Sequence, residues 1–531
     1  RRGLAALCLA AIFLLTGCGK DNGVGGVAGD AGKAVIAANQ AMAQKLDFSQ
    51  DRDFQDAQRG LIAKPHGQIR AADGTVLVDF AAFHFVEGDP PPTVNPSLWR
   101  HAKLNARIGL FKVTDGIYQL RGFDLGNMTL IEGKTGWIVV DPLTCRESAA
   151  FSFAFAQKHL GEKPVSAMII THSHVDHFGG ALGVISPREA ALRKLPVIAP
   201  AGFLEESISE NLMVGTAMGR RSSYQFGKDL ERSAKGMVDT GLGKTTSYGR
   251  IGIIRPTVII DQPVREMLVD GLRFVFYNTP GAEAPAEMTF VLPEKKAFCG
   301  AEILSQTMHN LLPVRGAKVR NALLWAQYLD DALAYAAGCE VYFGQHSWPI
   351  WGSNRIKEFI TLHRDVYRYT HDQTVRLINA GYTPREIADA VQLPKSLESH
   401  WGARGYYGDL RHNVKAVYQF YMGVYDGNPA NLHPLPPVEA AGRYVEMMGG
   451  ADNVIAGARR AYSEGDYRWV AQVLNHVVFD DPTNQAARRL SADAMEQLGY
   501  QSESATWRNS YLMGAFELRH GSLQLGRARQ P

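Results

Sequence analysis

Cysteine is scarce in this chain, with five among 531 residues, at positions 8, 18, 145, 299 and 339. Two of these fall in an N-terminal targeting segment, and the odd remainder, Cys145, Cys299 and Cys339, makes no disulfide framework. Cys299 stands in the apolar run Ala297-Phe298-Cys299-Gly300 and reads as a small buried hydrophobe rather than a ligand. Long blocks of one charge sign are also missing. The 56 basic and 53 acidic residues leave a formal net charge of +3, without the phosphate-tracking surface that a nucleic-acid partner requires. The N-terminal apolar run, Leu4 to Leu15, has the length of a secretory h-region and is too short to span a bilayer.

Arg1 and Arg2 precede that run, and Leu15-Thr16-Gly17-Cys18 ends it. The tetrapeptide resembles a lipobox, in which the cysteine is acylated and becomes the mature N-terminus. Residues 1–18 are therefore expected to be a lipoprotein-type signal. The protein is expected to be exported, as a periplasmic or outer-membrane lipoprotein or otherwise secreted, with membrane attachment only through a lipidated Cys18. An ordinary cleaved signal would also lead out of the cytoplasm. The stretch after Cys18 is Gly-rich, small and polar, and residues 19–47 read as a flexible tether.

The length exceeds what one core supports, roughly 250–300 residues, so two or three domains are expected. Ile117–Leu120, Met128–Gly133 and Trp137–Pro142 read as strands joined by turns, 149–160 as a helix, and Val165–Ile170 as a strand buried on both faces. Further strands are expected at 196–199, 257–261, 272–278, 288–292 and 341–343. After His363 the pattern turns helical, which places a boundary near 355–375: a catalytic α/β domain over 48–365 and an all-α domain over 366–531. Within the latter, Ala461–Tyr467 and Ala494–Tyr500 resemble one another, with Gly465 and Gly499 standing 34 positions apart as in a tetratricopeptide-like helical pair.

Directly after the buried strand comes Thr171-His172-Ser173-His174-Val175-Asp176-His177, followed by Gly179-Gly180. Three imidazoles and a carboxylate within six residues are the ligand types that zinc prefers. On a turn after a strand, His172 and His174 can face one ion while Asp176 and His177 reach a second.

The run resembles the signature of the metallo-β-lactamase superfamily, which implies an αββα sandwich. Where most members carry a downstream histidine, this chain has Glu283 in Thr279-Pro280-Gly281-Ala282-Glu283-Ala284-Pro285-Ala286-Glu287. Together with Gly300-Ala301-Glu302, Thr307–Asn310, Val314–Ala317, Trp401–Gly408 and Tyr425–Pro429, this segment is similar to the class III alkylsulfatases. The resemblance covers about Phe48 to Gly521. It implies two zinc ions: Glu283 joins His172 and His174, His346 joins Asp176 and His177, and Glu302 bridges both. Glu287 is the rival to Glu283, and His309 is expected to support the site rather than ligate. Asn310 and Arg315 match the family's anion-binding positions, with Arg320 a weaker candidate whose alternative is a surface salt bridge. A homodimer through the helical domain is implied as well. The family commonly adds a C-terminal domain resembling sterol carrier proteins, expected here to be absent or truncated.

Two zinc ions roughly 3.5–4 Å apart would bring the pKa of a shared water from about 15.7 toward about 7, so the nucleophile needs no protein base beyond positioning by Asp176 and Glu302. The substrate implied is a small sulfate ester with an apolar tail, gripped by planar guanidinium donors. With no evident proton donor for an alkoxide, the expected cleavage is between carbon and oxygen. Two other readings make different demands. β-Lactam, thioester or aryl sulfate hydrolysis on the same fold remains open as an alternative, and the first two would favour a histidine at 283. A non-catalytic surfactant or metal binder anchored by lipid predicts that His174→Ala leaves ligand binding intact.

Overall fold

The computed structural model describes residues 29–521, so the signal-like segment, Cys18 and the first part of the expected tether lie outside the described residues. The apolar run before the histidines forms the strand Val165–Ile169. Ala167 and Ile169 face one core and Met168 and Ile170 another, so the strand is apolar on both faces apart from the half-buried Ser166. Its neighbour Trp137–Val140 divides likewise, with Ile138 and Val140 facing inward and Trp137 and Val139 outward.

These strands belong to an eight-stranded sheet ordered Leu61–Ala63, Gly109–Thr114, Ile117–Arg121, Met128–Glu132, Trp137–Val140, Val165–Ile169, Val197–Pro200 and Val258–Ile260. Pairing is antiparallel as far as Trp137–Val140 and parallel beyond it. A six-stranded sheet follows in chain order: Val264–Val269, Leu272–Asn278, Met288–Leu292, Ala297–Cys299, Val341–Phe343 and Ile350–Trp351. The two sheets stack through Ile138, Val140, Ile169 and Ile198 on one side and Phe274, Phe276, Phe290 and Phe343 on the other. Each such side chain contributes about 1.5–3 kcal/mol when fully buried. Helix Arg146–Leu160 covers the outer face of the first sheet. Helix Ala322–Tyr335 and the first half of Ser353–Asn379 cover the outer face of the second. The expected αββα sandwich is present, followed by a helical region.

Three expectations need correction. The boundary at 365/366 falls inside the 27-residue helix Ser353–Asn379. Its first half, through Ile356, Phe359 and Ile360, packs with Trp325 in the sandwich, while Leu377 packs with Ile387 and Val414 in the helical region. No glycine or proline interrupts it, so one helix joins both parts. The tether is also not flexible throughout: Lys33–Lys45 is a helix whose Val35 is fully buried among residues of the helical region. The Gly32 N–H donates to Gln497 Oε1 at 2.7 Å and the Tyr500 hydroxyl to the Gly29 carbonyl at 3.0 Å. Finally, the two repeat-like glycines are not equivalent. Helices Ala451–Glu464 and Gln485–Gln501 do start 34 residues apart. Gly465 ends the first with φ +85°, whereas Gly499 lies inside the second, where the Leu512 side chain crowds it.

Candidate metal centre

All the site loops leave the same edge of the sandwich. The His172–His177 turn follows Val165–Ile169, the Glu283 loop joins Leu272–Asn278 to Met288–Leu292, and Glu302 and His346 follow Ala297–Cys299 and Val341–Phe343. The glycine pair lets this turn sit against the loop after Trp137–Val140. A Cβ on Gly179 would lie 2.1 Å from the Thr144 carbonyl, and one on Gly180 would lie 2.1 Å from that of Pro142. Three non-glycine residues beside the cluster have positive φ: Asp141 at 53°, Ala301 at 46° and Ser347 at 60°. Such conformations store strain of order 1–3 kcal/mol each, and packing holds them where the loops must aim their ligands.

The seven residues singled out in the sequence come together as two adjoining donor sets. His172, His174, Glu283 and Glu302 offer atoms within 4.8 Å of one another, as do Asp176, His177, Glu302 and His346. Glu302 belongs to both, its Oε2 lying 3.1 Å from Nε2 of each of His172, His177 and His346. Glu283 Oε2 is 2.9 Å from His174 Nδ1 and 3.5 Å from His172 Nε2. Two ligands about 2.0–2.1 Å from a tetrahedral zinc stand about 3.3 Å apart, so these spacings suit a shared cation. His172 Nε2 and Glu283 Oε2 are buried with no hydrogen-bond partner. A bound cation satisfies both, and the donor set fits the group.

Asp141 sets the orientation of two imidazoles. Its Oδ2 accepts from His177 Nδ1 at 2.9 Å and from the Thr171 hydroxyl at 2.6 Å. The Thr171 oxygen in turn stands 2.9 Å from His172 Nδ1. Both rings thereby carry their proton on Nδ1 and turn Nε2 toward the centre. His346 does the same through the Leu125 carbonyl at 3.1 Å.

Glu287, the rival to Glu283, lies outside both donor sets. Its Oε2 accepts from the Glu283 and Ala284 N–H groups at 3.1 and 3.2 Å, and its Oε1 accepts from the Glu302 N–H at 3.2 Å. It ties the two glutamate loops together. Burial and the neighbouring Glu283 and Glu302 push its carboxyl well above the usual range. Glu283 goes the other way: burial opposes its charge, but Arg320 and then His174 outweigh it and hold the carboxyl at about 2.

Arg320 is buried and makes no surface salt bridge. Its Nη2 is 2.6 Å from Glu283 Oε1, and its Nη1 donates to the Asn310 Oδ1 at 2.7 Å. Its guanidinium is thus committed to the Glu283 carboxylate and the Asn310 side chain. His309 Nδ1 lies 2.8 Å from Arg320 Nη1 and 3.0 Å from the Asn310 carbonyl, and its Nε2 donates to the Glu302 carboxylate at 2.9 Å.

Arg315 lines the site beside a residue the sequence did not mark. Its Nη1 stands 3.7 Å from Glu210 Oε2, and that carboxylate is 3.4 Å from His174 Nε2. Glu210 sits on a π-helical turn, Ser209–Met213, which no local sequence motif announces. Asp141 had a signal available, a lone carboxylate at the end of a fully apolar strand in Val140-Asp141-Pro142.

Residues 121–300 match the family model described as metallo-beta-lactamase superfamily, the class that this layering and paired donor set define. Residues 383–521 match one described as alkyl sulfatase dimerisation. The alkyl/aryl-sulfatase BDS1 of Saccharomyces cerevisiae is 50% identical over 491 residues, covering 92% of this chain and 76% of its own length. A linear primary-alkylsulfatase of Pseudomonas sp. is 49% identical over 496 residues, 93% of this chain and 74% of its own. The solved structure of the stereoselective inverting sec-alkylsulfatase Pisa1 from Pseudomonas sp. aligns with a TM-score of 0.92 at 46% identity, over 94% of this chain and 79% of that one. The chain belongs to the alkylsulfatase family.

Proposed function

We propose that this enzyme hydrolyses alkyl sulfate esters of the dodecyl sulfate type to alcohol and inorganic sulfate at a site holding two zinc ions. The observation that carries the reading is the pair of adjoining donor sets sharing Glu302, in a chain about half identical to named alkylsulfatases. His172, His174 and Glu283 would hold one ion and Asp176, His177 and His346 the other. The mixed imidazole and carboxylate set favours zinc. When bound, such a pair supplies a hydroxide-like nucleophile at neutral pH.

The protein's own groups do the rest. Arg315 and Asn310 bind and orient the sulfate oxygens, and Arg320 and His309 hold Glu283 and Glu302 in place. Asp176 and Glu302 position the attacking water. Among the described residues, the carboxyl beside Arg315, Glu210, is held in its charged form and is no acid for an alkoxide, which favours breaking the carbon–oxygen bond, because sulfate leaves unaided. A neighbouring family member described as inverting supports this, since inversion at a carbon requires bond cleavage at that carbon. Hydrolysis of dodecyl sulfate in oxygen-18 water is expected to place the label in dodecanol. Label found in sulfate alone rejects this route, and no sulfate release at all rejects the activity.

The finer assembly and location belong to the same proposal. A homodimer through the helical region is supported by large apolar side chains left exposed between 420 and 447, Val424 at 90% and Met447 at 85% among them. The double substitution Val424→Glu with Met447→Glu is expected to halve the mass measured by light scattering. An unchanged dimer mass places the interface elsewhere. Export, with anchoring through an acylated Cys18, rests on the Arg1–Cys18 sequence.

A further inference from the structure

Each arginine near the centre already faces a carboxylate. Arg320 is 2.6 Å from Glu283, which the ligand set needs. Arg315 is 3.7 Å from Glu210, which no ligand set contains. Glu210 is only 5% exposed, and its Oε1 has no hydrogen-bond partner. His174 Nε2 and Arg315 Nη1 both face its Oε2, at 3.4 and 3.7 Å, which leaves Oε1 as a buried, unpartnered oxygen whose charge opposes an anion held by Arg315. Its surroundings keep it there: Arg315 is pinned from behind, its backbone N–H donating to Gln225 Oε1 at 2.9 Å and its Nη1 to the Gly316 carbonyl at 3.0 Å. The opposing charge has a use if the site must take one negative charge and refuse two.

We propose that Glu210 is a specificity-determining residue that sets the charge the site accepts, admitting monoanionic sulfate esters and excluding dianionic phosphate monoesters of the same shape. The proposal rests on the sulfate-ester reading and on Arg315 as its anion donor. A sulfate ester carries one charge at every working pH, whereas a phosphate monoester approaches two above its second ionisation, at about 6. Within a few ångströms of a fixed carboxylate in a poorly solvated pocket, that extra charge is strongly repelled. Shape alone cannot separate the two tetrahedral groups.

The test is calorimetric, on the metal-loaded enzyme at about pH 8, with dodecyl sulfonate as the monoanion and dodecyl phosphate as the dianion. Wild type is expected to bind the sulfonate at least about 10-fold more tightly than the phosphate. Glu210→Gln, which removes the charge but keeps the shape, is expected to shrink that ratio about 10-fold or more, and Glu210→Asp to retain it. Metal content is measured alongside, because Glu210 also lies beside His174. Equal affinities in wild type, or an unchanged ratio in Glu210→Gln, overturn the filter while leaving dodecyl sulfate hydrolysis intact. A wild type that releases no sulfate from dodecyl sulfate overturns the functional reading, and the filter with it. If Glu210→Gln fails to fold, Glu210→Ala carries the same expectation, and an unchanged ratio there overturns the filter as well.

Discussion

Replacing Glu302 with alanine lowers kcat on dodecyl sulfate by at least about 10³-fold, close to 4 kcal/mol of lost transition-state stabilisation, and at least halves the metal content relative to wild type. The reason is geometric. One carboxylate oxygen stands 3.1 Å from three imidazole nitrogens, and the other accepts from His309. Without it, His177 and His346, whose Nε2 atoms are 3.2 Å apart, are left with Asp176 as their only carboxylate ligand. Glu302→Gln keeps the volume but loses the charge, and is expected to resemble the alanine variant. Paired activity and metal analysis on folded protein, judged by circular dichroism, checks this. Full metal content with normal turnover in either variant would remove Glu302 from the centre.

Arg315→Ala produces the second large effect, of a different kind. The expected loss in kcat/KM is about 10²–10³-fold, the scale of about 2–5 kcal/mol for truncating one partner of a desolvated charge contact. Metal content stays at the wild-type level, because Arg315 touches none of the seven residues of the donor sets. Arg315→Lys recovers only part of the loss, since an ammonium cannot match two sulfate oxygens with a planar fork. Steady-state kinetics beside metal analysis separates this variant from Glu302→Ala. Unaltered kinetics would move sulfate recognition to other groups.

What could be read from the chain was set by how locally each feature is encoded. The buried strands ending at Val140 and Ile169 are short apolar runs bounded by turns, and Leu272–Asn278 and Met288–Leu292 fell where their composition placed them. The hairpin turn Asp270-Gly271 has positive φ at both residues, 43° and 82°, and its sequence carries that signal. The partner strand Val264–Val269 alternates weakly, with exposed Val264 and Leu268, and was harder to see. Four ligands sit in one dense run, whereas Glu283, Glu302 and His346 were placed by resemblance because nothing local distinguishes them from other acids and histidines. Glu287 shows why resemblance was needed: it lies four residues from Glu283, equally buried, and only the folded backbone shows it bonding N–H groups instead of a metal. Arg320 was judged by its neighbours in sequence, but its partner Glu283 lies 37 positions away and reaches it only through the fold. Glu210 depends on a π-helical turn, which composition does not signal.

A single preparation tests the central claim. Purified protein is assayed for metal by elemental analysis and for sulfate release from dodecyl sulfate before chelation, after chelation and after zinc is restored. Two ions per chain, activity lost with the metal and regained on adding zinc, is the outcome this account requires. Undiminished sulfate release from metal-free protein would contradict it.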